Sequence, residues 1–122
     1  MISSTHRFHG HKGLRYVYQN GQTVRNADFA IKFLPNPHRR EYRLAVVVSR
    51  KVEKSAVARN RLRRRLYEAV RVVQDDISEP YDMVLTVFSK ELSAEPAVSL
   101  NNQVHKQLRA AGILAKQPRS KG

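Results

Sequence analysis

The stretch "ARNRLRRRLYEAVR", residues 58–71, combines six arginines with apolar residues at helical spacing. At about 100° per residue, one-third of the helix circumference is apolar, as expected for a helix docked on a core. The residues on that side are Leu62, Leu66, Ala69, Val70 and Val73. The other side carries Asn60, Arg64, Tyr67 and Arg71, flanked by Arg61 and Arg63. The pattern predicts a helix of about twenty residues, beginning at Ser55, that presents arginine to solvent.

The arginine side of this helix has few acidic partners. Glu68 is the one carboxylate between Arg59 and Arg71, so like charges repel each other along the free helix. A guanidinium group binds phosphate through two parallel hydrogen bonds and stays charged at any relevant pH. We therefore expect a phosphate-rich partner to compensate for the repulsion.

Composition indicates a single domain with a polyanionic partner. The chain has 122 residues, a formal net charge of +13 and no cysteine, which excludes disulfides and thiolate metal sites. Residues 50–71 hold nine basic residues against two acidic ones, whereas residues 72–100 hold six acidic residues against one lysine. A positive charge this large and this localised favours nucleic acid.

The first half of the chain predicts a helix and two strands. Leu14, Val17 and Tyr18 share a face of a helix over residues 11–20, and Gly21 offers a stop. Residues 27–34 alternate as a strand does, and residues 42–49 form an apolar run typical of a strand covered on both faces. We expect these two strands to form a hairpin, with a further short strand possible at 22–26.

The second half predicts a strand and a helix after the arginine-rich segment. Residues 81–89 form another buried strand. Ser93 is expected to cap a helix that has Pro96 in its first turn and runs to Gly112. Its inward residues would be Ala97, Leu100, Val104, Leu108 and Ala111. The predicted fold class is α+β, with helices packed on a small mixed sheet.

The central motifs resemble those of a known family, the protein subunit of bacterial ribonuclease P. That family carries an Arg-Asn-Arg motif, matched here by Arg59-Asn60-Arg61, on a helix that follows a strand ending in a Val-Ser-basic-basic pattern, here Val48-Ser49-Arg50-Lys51. The resemblance extends from Arg7-Phe8 through the strand "YDMVLTVF" into the final helix, about residues 7–111.

The resemblance implies a fold and an activity. The fold would be one α-β-β-β-α-β-α two-layer sandwich spanning residues 1–122, with an ordered core at about 7–114 and basic flexible termini. It would contain a left-handed β-α-β crossover, as in ribosomal protein S5 domain 2-like folds, although right-handed crossovers make up about 98% of cases. The protein would accompany a catalytic RNA and promote endonucleolytic removal of the 5′ leader from precursor tRNA.

The resemblance also implies two RNA-binding surfaces. The surface for the RNA subunit would comprise Ser49, Arg50, Lys51, Arg59, Asn60, Arg61, Arg63, Arg64, Arg65 and Arg71. The surface for the leader would comprise Lys12, Leu14, Arg15, Tyr18, Phe29 and Lys32. Leu14 and Lys32 stand where family members often have aromatic residues, so we expect weaker stacking and stronger electrostatics here. Core packing is the competing interpretation for Tyr18 and Phe29.

No residues of the chain suggest a hydrolytic centre. Neither a Ser/His/Asp set nor a pair of carboxylates stands out, so we expect no catalytic residue in the protein. Catalysis would reside in the RNA subunit, with Mg²⁺ bound mainly by that RNA. The segment "HRFHGH" contains His6, His9 and His11, but no carboxylate lies near them in sequence, and we expect no metal site.

Three other functions remain compatible with parts of the sequence. A ribosomal or chaperone-type RNA-binding protein would have the same composition. A DNA-binding regulator would use residues 58–74 as a recognition helix, but arginine alone reads few bases and the segment lies between strands. Binding to a membrane surface would need a basic helix with a Trp/Phe-rich face, which is missing. We expect a cytoplasmic protein that binds neither DNA nor membrane.

Overall fold

The computed structural model describes the backbone of residues 11–114 and the side chains of residues 13–114. Over this range the element order is α-β-β-β-α-β-α, as the resemblance implied. The elements are α1 (His11–Asn20), β1 (Gln22–Arg25), β2 (Phe29–Pro35), β3 (Arg43–Val47), α2 (Ala56–Arg71), β4 (Tyr81–Val87) and α3 (Ala97–Ala110). Two short 3₁₀ turns, Gln74–Asp76 and Lys90–Ala94, precede β4 and α3 respectively.

The four strands form one mixed sheet in the order β1-β2-β4-β3. β4 is antiparallel to β2 and parallel to β3, and α2 makes the crossover between β3 and β4. The left hand of that crossover stays a prediction. The expected hairpin between β2 and β3 is wrong, because β4 lies between them. β4 is buried on both faces, since six of its seven residues are buried and neighbouring residues along a strand face opposite sides of the sheet.

The hairpin that does form joins β1 to β2. Its turn is closed by Asn26, whose side-chain oxygen accepts hydrogen bonds from the backbone amides of Asp28 at 2.8 Å and Phe29 at 2.9 Å. An asparagine that bonds the backbone two residues ahead is a common turn former. The short strand that the sequence allowed at 22–26 is therefore β1.

Helices cover both faces of the sheet. Met83, Leu85 and Val87 of β4 face the larger core, which α2 and α3 complete. The intervening Val84 faces a smaller cluster with Ala45 of β3 and Val17 of α1. The strand alternation thus places α1 on one side of the sheet and α2 with α3 on the other.

The arginine-rich helix begins where the sequence predicted. The Ser55 side chain accepts a hydrogen bond from the Ala58 amide at 3.2 Å and so caps the first turn. The helix ends at Arg71, four residues short of the expected length, and Val73 lies beyond it. The predicted inward residues of the helix are buried, namely Leu62, Leu66, Ala69 and Val70.

The last helix begins later than predicted. Ser93 does not cap it, because Ser93 lies inside the 3₁₀ turn that Ser89 caps, and α3 starts only after Pro96. Leu100, Val104 and Leu108 are buried as expected, whereas Ala97 in the first turn is exposed. Gly112 has a φ of 79°, a conformation that glycine adopts at no steric cost, and it returns Ile113 and Leu114 to the core.

Gly21 allows α1 to lie against the sheet. A Cβ atom at this position would lie 2.6 Å from the Val17 carbonyl oxygen and 2.9 Å from the Phe33 carbonyl oxygen. Both are backbone atoms, so neither can move aside on its own. The close contact between the end of α1 and β2 therefore requires glycine.

We expect Gly21→Ala to lower the free energy of unfolding by about 1–3 kcal/mol, since the added methyl group overpacks this contact. Chemical denaturation measures the effect. Gln22→Ala is the matched control, because Gln22 is exposed at the next position and its truncation should change stability little. Equal stability of both variants would mean that the packing of α1 on the sheet does not depend on the close contact at Gly21.

Candidate nucleic-acid interface

The solvent-facing side of α2 carries cations, and the buried residues on its other side hold the helix against the core. We call Asn60, Arg61, Arg63 and Arg64 the arginine face. Asn60, Arg61 and Arg64 are exposed and Arg63 is half-buried. One Arg63 N–H donates to the Asn60 side-chain oxygen, which links neighbouring turns of the helix. Since the opposite side of α2 is docked on the sheet, these groups are fixed in direction and can meet a row of phosphates.

Three arginines predicted to bind RNA use their guanidinium groups within the protein. Arg59 Nη1 donates to the backbone oxygens of Glu53 at 2.9 Å and Lys54 at 3.0 Å. Arg65 Nη1 donates to the Ser93 carbonyl at 3.0 Å, and its Nη2 donates to the Glu95 carbonyl. Arg65 thus links α2 to the turn before α3, and no pattern in the sequence indicates this contact.

Arg71 forms an ion pair with Glu68, one helical turn earlier. Its Nε donates to Glu68 Oε1 at 2.8 Å, and this hydrogen bond holds the pKa of the Glu68 carboxyl below its usual value. The pair places one negative charge beside the last arginine of the helix. The uncompensated positive charge of α2 therefore lies between Arg59 and Arg65.

A basic turn lies at the N-terminal end of α2. Ser49, Arg50 and Lys51, the residues predicted from the Val-Ser-basic-basic pattern, are all exposed there. The turn follows β3 directly, so its position is set by the sheet. It extends the arginine face beyond the first turn of the helix.

A cleft opens on the opposite face of the sheet, beside α1. It has a volume of about 520 Å³ and is lined by Tyr18, Thr23, Arg25, Ala30, Lys32, Thr86 and Phe88. Tyr18 is 40% exposed, and its hydroxyl lies 3.3 Å from Thr86 Oγ1. Tyr18 is therefore a wall of the cleft and not a core residue.

Lys32 is positioned by the end of α1. Its Nζ donates to the Tyr18 carbonyl oxygen at 2.9 Å and lies 6.0 Å from the centroid of the Tyr18 ring. A cation beside the C-terminal carbonyls of a helix is stabilising. Lys32 thus fixes Tyr18 and adds positive charge to the cleft.

The other predicted leader-binding residues differ in their placement. Arg15 is exposed on α1, and Leu14 is half-buried against the small cluster formed by Val17 and its neighbours. The side chain of Lys12 lies outside the described residues, as do the side chains of His6, His9 and His11. Among residues 13–114, no three His, Asp or Glu side chains lie close enough together to hold a metal ion.

Phe29 belongs to the core and not to the cleft. It is 0% exposed and lies in the larger cluster, on the side of β2 that α2 and α3 cover. The cleft lies on the other side, which the neighbours Ala30 and Lys32 face. A base cannot reach the Phe29 ring without unfolding this packing, so the competing interpretation holds for Phe29.

Arg25 and Phe88 are cleft residues that the sequence analysis missed. The Arg25 guanidinium lies 5.0 Å from the centroid of the Phe88 ring, a cation–π geometry, and Phe88 is 43% exposed. The signal was present in "TVF", because alternation along β4 puts Phe88 on the same side as Thr86.

Comparisons with known proteins identify the family and the fold of this chain. The family model described as Ribonuclease P matches residues 2–112. The chain belongs to this family. It is 32% identical to a Synechococcus ribonuclease P protein component over 93% of this chain and 87% of that one. It is 38% identical to the corresponding Chloroflexus aurantiacus protein over 82% and 73% of the two chains. The Staphylococcus aureus RNase P protein superposes with a TM-score of 0.80 at 22% identity, over 89% of this chain and 97% of that one.

Membership assigns the chain its place in the ribonuclease P holoenzyme. It is the protein component of an endoribonuclease in which the RNA subunit performs catalysis, and its partners are that RNA and precursor tRNA. Between residues 11 and 114, none of the helices is long and apolar enough to cross a membrane.

Arg64 and Arg65 provide a test of the division between outward and inward arginines. Arg65→Ala should lower the free energy of unfolding by about 2 kcal/mol, since it removes charged donors from two backbone carbonyls. Arg64→Ala should leave stability nearly unchanged and reduce the slope of log affinity for ribonuclease P RNA against log salt by about one unit. Denaturation and binding at several salt concentrations measure both. If Arg64→Ala lowered stability and Arg65→Ala reduced the salt slope, then Arg64 would be the inward residue and Arg65 the outward one.

Proposed function

We propose that the chain binds the RNA subunit through the arginine face of α2 with the basic turn at Ser49–Lys51, and the 5′ leader of precursor tRNA through the cleft beside α1. The observation that carries this proposal is the presence of two basic surfaces on opposite faces of one sheet. A protein with two such surfaces can hold a structured RNA and a single strand at the same time.

The arginine face suits a folded RNA. Its groups lie along a rigid helix, so binding costs little conformational entropy, and each guanidinium group can contact a phosphate bidentately. Double-helical RNA offers phosphates and 2′-hydroxyls but hides its base edges, so a surface made of cations and one asparagine matches what such an RNA presents. Because Arg59, Arg65 and Arg71 have partners within the protein, we leave them out of the direct contacts.

The cleft suits a single-stranded leader. Tyr18 and Phe88 are partly exposed rings on which bases can stack, and Arg25 and Lys32 supply positive charge for the backbone. Stacking on aromatic side chains tolerates any base, because every base has a π-face. Such a cleft would hold leaders of different sequence.

The protein would act in the cytoplasm by positioning substrate, with Mg²⁺ held mainly by the RNA subunit. Phosphodiester cleavage by metal ions needs ligands for both the attacking and the leaving oxygen, and phosphate-rich RNA offers them. The positive charge of the protein would reduce the repulsion between the phosphates of the RNA subunit and those of the leader.

Reconstitution tests the proposal. A bacterial ribonuclease P RNA at low Mg²⁺ should cleave precursor tRNA faster with the protein than without it, and the protein alone should cleave nothing. A gel-shift series with duplex DNA, mature tRNA and precursor tRNA should show preference for the precursor. Equal binding to all three, without stimulation of cleavage, would indicate a general nucleic-acid-binding protein.

Tyr18→Ala should weaken binding of precursor tRNA by the holoenzyme by about 1–3 kcal/mol, the value of one stacked base, without changing the binding of mature tRNA. Tyr18→Phe keeps the ring and loses only the contact with Thr86, so it should retain most of the affinity. Tyr16→Ala is the matched control, because Tyr16 is 58% exposed on the same helix but does not line the cleft. If the two alanine variants lose affinity equally, the leader lies elsewhere.

A further inference from the structure

The segment between β3 and α2 carries three exposed cations on a turn that is held by its own hydrogen bonds. We call residues 49–54 the basic loop; its cations are Arg50, Lys51 and Lys54. The Ser49 carbonyl accepts hydrogen bonds from the amides of Val52 and Glu53, both at 3.1 Å. The loop therefore has a defined conformation before any RNA binds.

Arg59 closes this loop from the first turn of α2. Its Nη1 reaches the two carbonyls that precede the helix cap, Glu53 O at 2.9 Å and Lys54 O at 3.0 Å. Its backbone amide donates to the Ser55 carbonyl at 2.9 Å, so the same residue continues the helix. One guanidinium group thus joins the loop to the rigid part of the fold.

Arg61, two residues further on, has no such partner. It is exposed, and its side chain makes no hydrogen bond or ion pair with any of the residues 13–114. Two residues correspond to a rotation of about 200° around a helix, so the two arginines of the Arg-Asn-Arg motif point in nearly opposite directions. Both residues are arginine, but their side chains lie in different environments.

We propose that Arg59 is a positioning residue, which holds the basic loop so that Arg50 and Lys51 meet RNA phosphates, while Arg61 meets the RNA itself. The inference rests on the proposed function of the loop as part of the surface for the RNA subunit. Its physical basis is preorganisation, since a loop fixed in the free protein loses less conformational entropy when it binds. Without Arg59, the carbonyls of Glu53 and Lys54 would lose this hydrogen-bond donor. The cations of the loop would then lose their fixed spacing.

A double-mutant cycle on the reconstituted complex tests this role. The affinity of the full chain for ribonuclease P RNA is measured for Arg59→Ala, for the pair Arg50→Ala with Lys51→Ala, and for all three together. Arg59→Ala should weaken binding about tenfold on its own and less than about twofold once the two loop cations are gone, as coupled residues do. The control Arg61→Ala should weaken binding by the same factor in both backgrounds.

A second variant and a second measurement separate the loop from the general fold. Arg59→Met keeps the aliphatic stem without a donor and should show the same coupling as Arg59→Ala. Amide hydrogen exchange at Val52 and Glu53 should be faster in both variants and unchanged in Arg61→Ala, since only Arg59 closes the loop. Circular dichroism establishes that each variant is folded.

The outcomes also separate this inference from the proposed function. If Arg59→Ala weakens binding equally in both backgrounds, Arg59 contacts RNA directly or supports the whole fold, and the inference is wrong. If removal of Arg50 and Lys51 leaves binding unchanged while Arg64→Ala weakens it, the inference fails and the arginine face stands. If none of these variants weakens binding, the proposed surface itself is wrong.

Discussion

Burial of β4 on both faces and pairing along both its edges constrain the rest of the molecule. Six of its seven residues are buried, and it hydrogen-bonds to β2 on one side and to β3 on the other. Its alternating side chains bring buried apolar residues to both faces of the sheet, and each face needs its own cover. One cover, α1, walls the cleft; the other, α2 with α3, carries the arginine face. The two candidate RNA surfaces are therefore consequences of one doubly buried strand.

Positive charge is sorted within the fold and not simply spread over its surface. The arginines of α2 have different partners according to their direction around the helix. Arg59 binds a loop, Arg65 the turn before α3 and Arg71 a carboxylate, whereas Arg61 and Arg64 face solvent. Asp82 is the corresponding case for negative charge. It is nearly buried on the α1 side of the sheet, where it accepts two hydrogen bonds from Arg43 at 2.8 Å and one from Asn36 at 2.9 Å. A carboxylate at that depth is tolerated because donors surround it.

Periodicity was sufficient to predict what is local in this structure. The stripe on α2, the Ser55 cap and the buried strands follow from residues within a few turns of one another. Strand order was not predictable in this way, because alternation does not say which strand pairs with which, and the β2–β3 hairpin was wrong for that reason. Alternation along β2 puts Ala30 and Lys32 on the opposite side from Phe29, but which side is covered depends on the distant α2 and α3. The internal partners of Arg59 and Arg65 are backbone carbonyls, which leave no mark on the sequence.

The strand order also sets the sequence of events as the chain is synthesised. The β1–β2 hairpin is local and can form early, but β3 has no neighbour in the sheet until β4 has emerged, about forty residues later. The arginine-rich segment leaves the ribosome in between, when the strand that forms the centre of its docking surface does not yet exist. Closure of the core then awaits α3 and the return of Ile113 and Leu114. The domain is thus committed to fold as a unit, and chains halted before α3 would expose an apolar sheet beside a dense cluster of positive charge.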